Sequence, residues 1–192
     1  MMNITMNNNM KFEPLNIRLK NGKTVQIRQG IESDAGELIH RMKEIFGETE
    51  YLLVDEDEFN MTLEQETAWL KAFDDVPTSL YLAAVYNDKI IGTCGIVGNV
   101  MKKMKHTASI GISLLKEWQN QGLGKKLMEE SIGWAKKNTD LEIIWLDVFS
   151  TNTHAVSLYK KLGFVEEGRQ KNFVRLKSGY CDKITMSLDI RQ

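Results

Sequence analysis

Ser109-Ile-Gly-Ile-Ser113-Leu114-Leu115-Lys-Glu-Trp-Gln119-Asn120-Gln121-Gly122-Leu123-Gly124-Lys125-Lys-Leu127-Met128-Glu-Glu-Ser-Ile132-Gly-Trp134-Ala135-Lys136-Lys137 is the stretch whose reading decides the fold. It opens as an apolar strand, turns through two glycines one residue apart, and closes as an amphipathic helix. At about 100° per residue, Leu123, Leu127, Met128, Ile132, Trp134 and Ala135 fall in one half of that helix. The lysines and Glu129 fall in the other. The first turn of a helix carries N–H groups with no intrahelical partner, at the positive end of the helix dipole. Glycines there let a bulky anion approach the main chain, so the loop is a candidate phosphate cradle. It lacks the third glycine of a dinucleotide fingerprint and the Gly-Lys-Ser/Thr of a P-loop. On spacing alone, a plain strand-to-helix connection with no ligand is an equal alternative.

Gln119-x-x-Gly122-x-Gly124 after a strand resembles the Arg/Gln-x-x-Gly-x-Gly/Ala signature of the GNAT acetyltransferases. Downstream, Asn152-Thr-His-Ala155-Val-Ser-Leu-Tyr159-Lys-Lys-Leu-Gly163-Phe164 resembles that family's Asn-x-x-Ala-x-x-x-Tyr-x-x-x-Gly-Phe block. The close resemblance runs from about Ile90 to Phe164. It implies a single-domain α/β (α+β) GNAT fold with a mixed, mostly antiparallel central sheet and helices on both faces. The family's fourth and fifth strands splay apart; here they are expected around 106–115 and 142–149.

The resemblance also implies a site. Main-chain N–H groups of Gln121, Gly122, Leu123, Gly124 and Lys125 would bind the pyrophosphate of acetyl-CoA, with the side chains of Gln119 and Asn120 assisting. Main-chain groups of Ser113, Leu114 and Leu115 would pair with the pantetheine arm, and the Leu114 N–H would donate to the oxyanion. Asn152 would bond the pantetheine amide, or serve only as a helix cap. Tyr159 shares a helix face with Ala155 and Leu162 and would protonate the leaving thiolate; a phenol of pKa about 10 can do so. A buried structural tyrosine is the alternative. Glu48, Glu50, Glu117 or a water chain could be the general base. His154 is placed on the outer face.

Composition bounds the rest. The 192 residues suffice for one domain with a substantial core, and 42% hydrophobic with 27% charged residues matches a soluble globular chain. A net charge of −1 gives no electrostatic case for nucleic acid or an anionic membrane. Cys94 and Cys181 are far apart and read as reduced structural thiols, in keeping with a cytoplasmic location. The three histidines lack metal-ligand spacing, so no metal is expected. Residues 1–12 read as a disordered leader and 13–192 as the domain. A homodimer is left open.

Along the chain, Asn21-Gly22 between alternating stretches predicts a hairpin, 15–20 and 24–29. Ser33 is the expected N-cap of a helix over 34–46. The acidic stretch from Glu48 to Phe59 reads as a solvated loop or as a lure for a cationic substrate. Thr62-x-x-Gln65 resembles a capping box opening a helix with Leu63, Ala68, Trp69, Leu70 and Phe73 on its apolar face. Strands follow at 80–86 and 89–97. Leu141 to Phe149 reads as a strand covered on both faces. Closing strands are expected at 164–167, 171–176 and 182–189. The functional expectation is an acetyl-CoA-dependent N-acetyltransferase acting on a small-molecule or peptide amine. A non-catalytic CoA-binding sensor and a nucleotide-binding domain are the alternatives.

Overall fold

The computed structural model describes residues 11–137 and 140–191. One eight-stranded sheet organises it, in the order β1-β2-β3-β4-β5-β6-β8-β7. The strands are β1 (Leu15–Arg18), β2 (Thr24–Gln29), β3 (Leu80–Tyr86), β4 (Lys89–Gly98), β5 (Thr107–Leu114), β6 (Ile143–Phe149), β7 (Val165–Leu176) and β8 (Gly179–Asp189). Every neighbouring pair is antiparallel except β5–β6. The helices are α1 (Ala35–Glu48), α2 (Leu63–Asp75), α3 (Leu123–Lys137) and α4 (Thr153–Lys161).

Strand alternation sorts the helices onto two faces. Tyr81 and Ala83 of β3 meet Ala35, Leu38, Leu70 and Phe73 of α1 and α2. Leu82, Ala84, Cys94 and Ile96 point the other way, into the main core with Leu127, Met128 and Tyr159 of α3 and α4. All six apolar positions expected for α3 are buried.

The hairpin forms with Gly22 at φ +81°, though β1 ends at Arg18. The capping box of α2 is present: the Gln65 N–H donates to Thr62 Oγ1 (3.2 Å) and the Thr62 N–H to Gln65 Oε1 (2.9 Å).

Several expectations need correction. Ser33 does not cap α1. A 3-10 turn, Glu32–Asp34, precedes the helix, and the Asp34 carboxylate is drawn to Arg28 and to the Ile31 N–H. The buried face of α2 is Glu66, Leu70 and Phe73, while Leu63 and Ala68 are exposed. β6 is not covered on both faces: Asp147 is exposed, accepts from Lys183 Nζ (2.8 Å) and meets Thr185. The two short strands expected at 164–167 and 171–176 are one strand, β7, whose ladder with β8 is interrupted twice. The expected leader lies mostly outside the described residues, but Phe12 packs against the core and donates its N–H to Gln29 Oε1 (3.4 Å). Both cysteines are buried and unpaired by disulfide.

Candidate active site

β5 and β6 lie side by side only where Thr107, Ala108 and Ser109 pair with Ile143, Ile144 and Trp145. Beyond these residues the strands part, while β5 stays paired with β4 as far as Leu114. The Leu115 N–H donates to Ile91 O (3.1 Å), which fixes the ladder's phase. By antiparallel alternation, Ser109, Gly111 and Ser113 then direct their main-chain groups to β4. Ile110, Ile112 and Leu114 direct theirs into the gap.

The glycine loop stands at the end of this gap. Asn120 (φ +60°) and Gly122 (φ +89°) both adopt left-handed backbone. The Lys126 N–H is bonded to Gly122 O (3.1 Å), so the N–H groups of Leu123, Gly124 and Lys125 come before the first intrahelical bond. A Cβ added at Gly122 would meet nothing within 4 Å. At Gly124 it would meet Leu114 Cδ1 at 3.2 Å and Ile112 Cδ1 at 3.5 Å, so this glycine lets α3 pack closely on β5. The loop is pinned from two sides. Gln119 Nε2 donates to Leu114 O (3.2 Å), and the Lys20 N–H, beside the β1–β2 hairpin turn, donates to Gln121 O (3.2 Å).

α4 closes the other side. Asn152 Oδ1 accepts the Ala155 N–H (3.1 Å), and among the described residues its Nδ2 has no hydrogen-bond partner. Tyr159 is buried, with its ring 5.9 Å from that of Phe164. Among the described residues its hydroxyl makes no hydrogen bond. Burial, with a smaller effect of the Cys94 thiol, raises its pKa above the ordinary phenol value. Cys94 itself is pushed up to about 12 by burial and accepts a 3.3 Å hydrogen bond from Ser131 Oγ, so it stays a thiol.

A cleft of about 1350 Å³ joins these parts and passes to the opposite face of the sheet. There it opens into a chamber walled by Trp69, Phe73, Tyr81 and Glu66 and floored by Thr93, Gly95, Gly111 and Ser113. A Cβ added at Gly111 would meet nothing within 4 Å, so open space lies above this floor.

A strand gap beside a glycine loop that opens a helix is the geometry that the sequence motifs imply. The Acetyltransferase (GNAT) family model matches residues 39–164. The chain belongs to the GNAT family. The L-amino acid N-acetyltransferase AaaT of Escherichia coli is 29% identical over 119 residues, 62% of this chain and 74% of that protein. The ribosomal protein bS18-alanine N-acetyltransferase of Escherichia coli is 36% identical over 74 residues, 38% of this chain and 49% of that enzyme. A solved GNAT acetyltransferase from Streptococcus pneumoniae superposes with a TM-score of 0.83 at 31% identity, covering 86% of this chain and 99% of that one. The fold is also that of yncA from Salmonella typhimurium, solved with acetyl-CoA, at a TM-score of 0.76 and 16% identity over 88% of this chain and 95% of that one.

Within this GNAT cleft lie Ser113, Leu114, Gln119, Asn120, Gly122, Gly124, Lys125, Asn152 and Tyr159. Leu115 and Leu123 are buried, and the Leu115 N–H is taken by β4. The other main-chain groups that face the gap belong to Ile110 and Ile112, which the motif reading does not single out. Of the expected bases, Glu48 lines the cleft but accepts the Lys116 N–H (2.7 Å), tying α1 to the end of β5. Glu117 accepts the Trp118 indole N–H (2.7 Å), and Glu50 is exposed outside the cleft. His154 is exposed at the cleft rim. Among the described residues, no group of three or more His, Cys, Asp or Glu is placed to hold a metal, and no helix is long and apolar enough to cross a membrane.

Glu66 is the residue that sequence reasoning missed. The apolar face expected from Leu63, Ala68, Trp69, Leu70 and Phe73 leaves it out, whereas the buried residues of α2 are Glu66, Leu70 and Phe73. The available signal was its spacing: Glu66, Trp69, Leu70 and Phe73 stand at i, i+3, i+4 and i+7, one helix face.

Proposed function

We propose that the protein is an acetyl-CoA-dependent N-acetyltransferase that passes the acetyl group to a primary amine by direct attack on the thioester. The carrying observation is the parting of β5 and β6 immediately after Ser109 and Trp145, beside the glycine loop and within one cleft with Tyr159. Its relatives, named for transfer to L-amino acids and to the alanine of ribosomal protein bS18, support an amine acceptor.

The residues present fit acetyl-CoA. Gly122 leaves an open approach to the main chain, and the N–H groups of Leu123, Gly124 and Lys125 face it as donors for a pyrophosphate. Lys20, Lys116 and Lys125 line the same end of the cleft and add positive charge. The gap-facing main chain of Ile110, Ile112 and Leu114 supplies strand-like partners for an amide-bearing arm, as an added strand would find. Asn152 Nδ2 offers a donor from the opposite wall. When bound, acetyl-CoA supplies an activated acetyl group.

The Leu114 N–H would donate to the carbonyl oxygen as negative charge develops there, a stabilisation that operates best in a site shielded from water. The Tyr159 phenol is held protonated by its burial and would donate its proton to the departing sulfur. Gln119 fixes Leu114 by accepting no load from the reaction itself: its amide holds the Leu114 carbonyl, and so the strand end, in place.

The test is thiol release from acetyl-CoA across a panel of amines. Amine-dependent release is expected. Binding of acetyl-CoA without release by any amine would instead support a CoA-binding sensor.

A further inference from the structure

The chamber holds a carboxylate that the fold does not use. Glu66 is only 5% exposed, yet among the described residues its carboxylate has no hydrogen-bond or ion-pair partner. Burial raises its pKa. An unpaired buried carboxylate is costly, and folded chains pair or neutralise such groups. Among the described residues the other buried carboxylate follows that rule: Asp34 accepts from both terminal nitrogens of Arg28, Nη1 and Nη2, at 2.7 and 2.8 Å. Glu66 instead lines an open cavity, where a partner can enter.

The walls describe that partner. Trp69 meets Phe73 edge-on at 4.8 Å and Tyr81 edge-on at 4.9 Å. Aromatic walls suit an apolar body and tolerate a cation over their faces. Of the residues that α1, α2, their connecting loop, β3 and β4 contribute to the cleft, none is Lys, Arg or His. A carboxylate on the acceptor would therefore enter beside Glu66 with no counter-charge.

We propose that the chamber selects amines with an apolar body and no carboxylate near the nitrogen, and that Glu66 binds their ammonium group and takes one proton from it. A peptide N-terminus meets this condition, because its α-carboxyl is an amide; a free amino acid does not. The selectivity rests on the acetyltransferase reading only for the transfer that follows. There, the neutral amine's lone pair forms the C–N bond and the C–S bond breaks. Tyr159 gives its proton to sulfur, the second nitrogen proton restores the phenol, and the Glu66 proton passes to water.

The test uses 2-phenylethylamine and L-phenylalanine, which share a body and differ by the carboxylate, in direct binding to the full chain and in thiol release. The amine should bind about 100-fold or more tightly than the amino acid. Glu66→Gln should weaken 2-phenylethylamine by about 10- to 100-fold, leave acetyl-CoA affinity unchanged, and hold or raise the melting temperature, since it removes an unpaired buried charge. Glu66→Asp keeps the charge and should recover part of the affinity. Equal binding of L-phenylalanine, or undiminished amine binding by Glu66→Gln, overturns the proposal. Thiol release failing with every amine would defeat the acetyltransferase reading while leaving the binding result to stand by itself.

Discussion

The two ends of the cleft are built from different materials. At the glycine-loop end, the groups offered are main-chain N–H donors at a helix start, with three lysines around them. At the chamber end they come from α2, β3, β4 and β5: a lone carboxylate, three aromatic rings and a floor of small residues. One end suits an anion, whatever its neighbouring side chains. The other suits a cation with an apolar body, and depends on particular side chains meeting from distant parts of the chain. Backbone-built sites need a special conformation and so leave glycines at fixed spacing; side-chain-built sites leave no short pattern.

Between the two ends stands Tyr159, and its removal has the largest expected effect. Tyr159→Phe should lower kcat by about 10²–10⁴-fold, with kcat/KM falling in parallel. Acetyl-CoA affinity and melting temperature should hardly move, because the hydroxyl has no partner among the described residues. Near-normal turnover with a lower melting temperature would mark a structural tyrosine and leave the two ends with no chemistry between them.

The two glycines divide next. Gly122→Val should raise the acetyl-CoA dissociation constant by about 10- to 100-fold, since the side chain would strain a φ of +89° and stand in the cradle. Gly124→Val should chiefly cost stability, about 1–3 kcal/mol by denaturant titration, because its side chain meets Leu114 and Ile112. If both variants lost only stability, the loop would be a connection and not a cradle.

Gly111→Val probes the other end. Its Cβ meets nothing within 4 Å, so the fold should tolerate it while the filled floor raises KM for the amine several-fold, about 1 kcal/mol. Acetyl-CoA affinity should stay within about twofold. An equal loss for both substrates would mean that the chamber is not separate.

The smallest effect compares the two buried carboxylates through pH. For Asp34, burial pushes the pKa up, but Arg28 and the Ile31 N–H more than offset this and hold it below the usual carboxylate range. It therefore binds fewer protons in the folded than in the unfolded chain. Its stabilisation is present above the ordinary Asp value and is lost as pH falls through the folded one. Glu66 has the opposite sign: its raised pKa makes the folded state lose stability as pH rises from the ordinary Glu value through the folded one. Chemical denaturation from pH 3 to 7 should show Asp34→Asn flattening the acid limb and Glu66→Gln relieving the loss above it.

How much could be read from the chain follows the same division. The strand–loop–helix unit, Asn152 as a cap and Asn21-Gly22 as a turn (Gly22 φ +81°) were legible, because each is a local conformational demand that a residue type answers. The phase of β5 was not. Whether Ser113 or Leu114 turns its main chain to the gap depends on the ladder with β4, fixed by the Leu115–Ile91 bond. Ser33 was misread as a cap because the pull of Arg28 on Asp34, across from β2, is invisible locally. Glu66 was passed over because a charge in a helix reads as solvated until the neighbouring β-strands are placed against it.

Calorimetric titration of acetyl-CoA into the parent chain, Gly122→Val, Glu66→Gln and the double variant tests the separation of the two ends most directly. The dissociation constant should rise with Gly122→Val, stay at the parent value with Glu66→Gln, and match Gly122→Val in the double variant. A rise of about tenfold or more caused by Glu66→Gln alone would contradict the account, because it would place Glu66 in the acetyl-CoA site and leave the chamber without an amine-binding group.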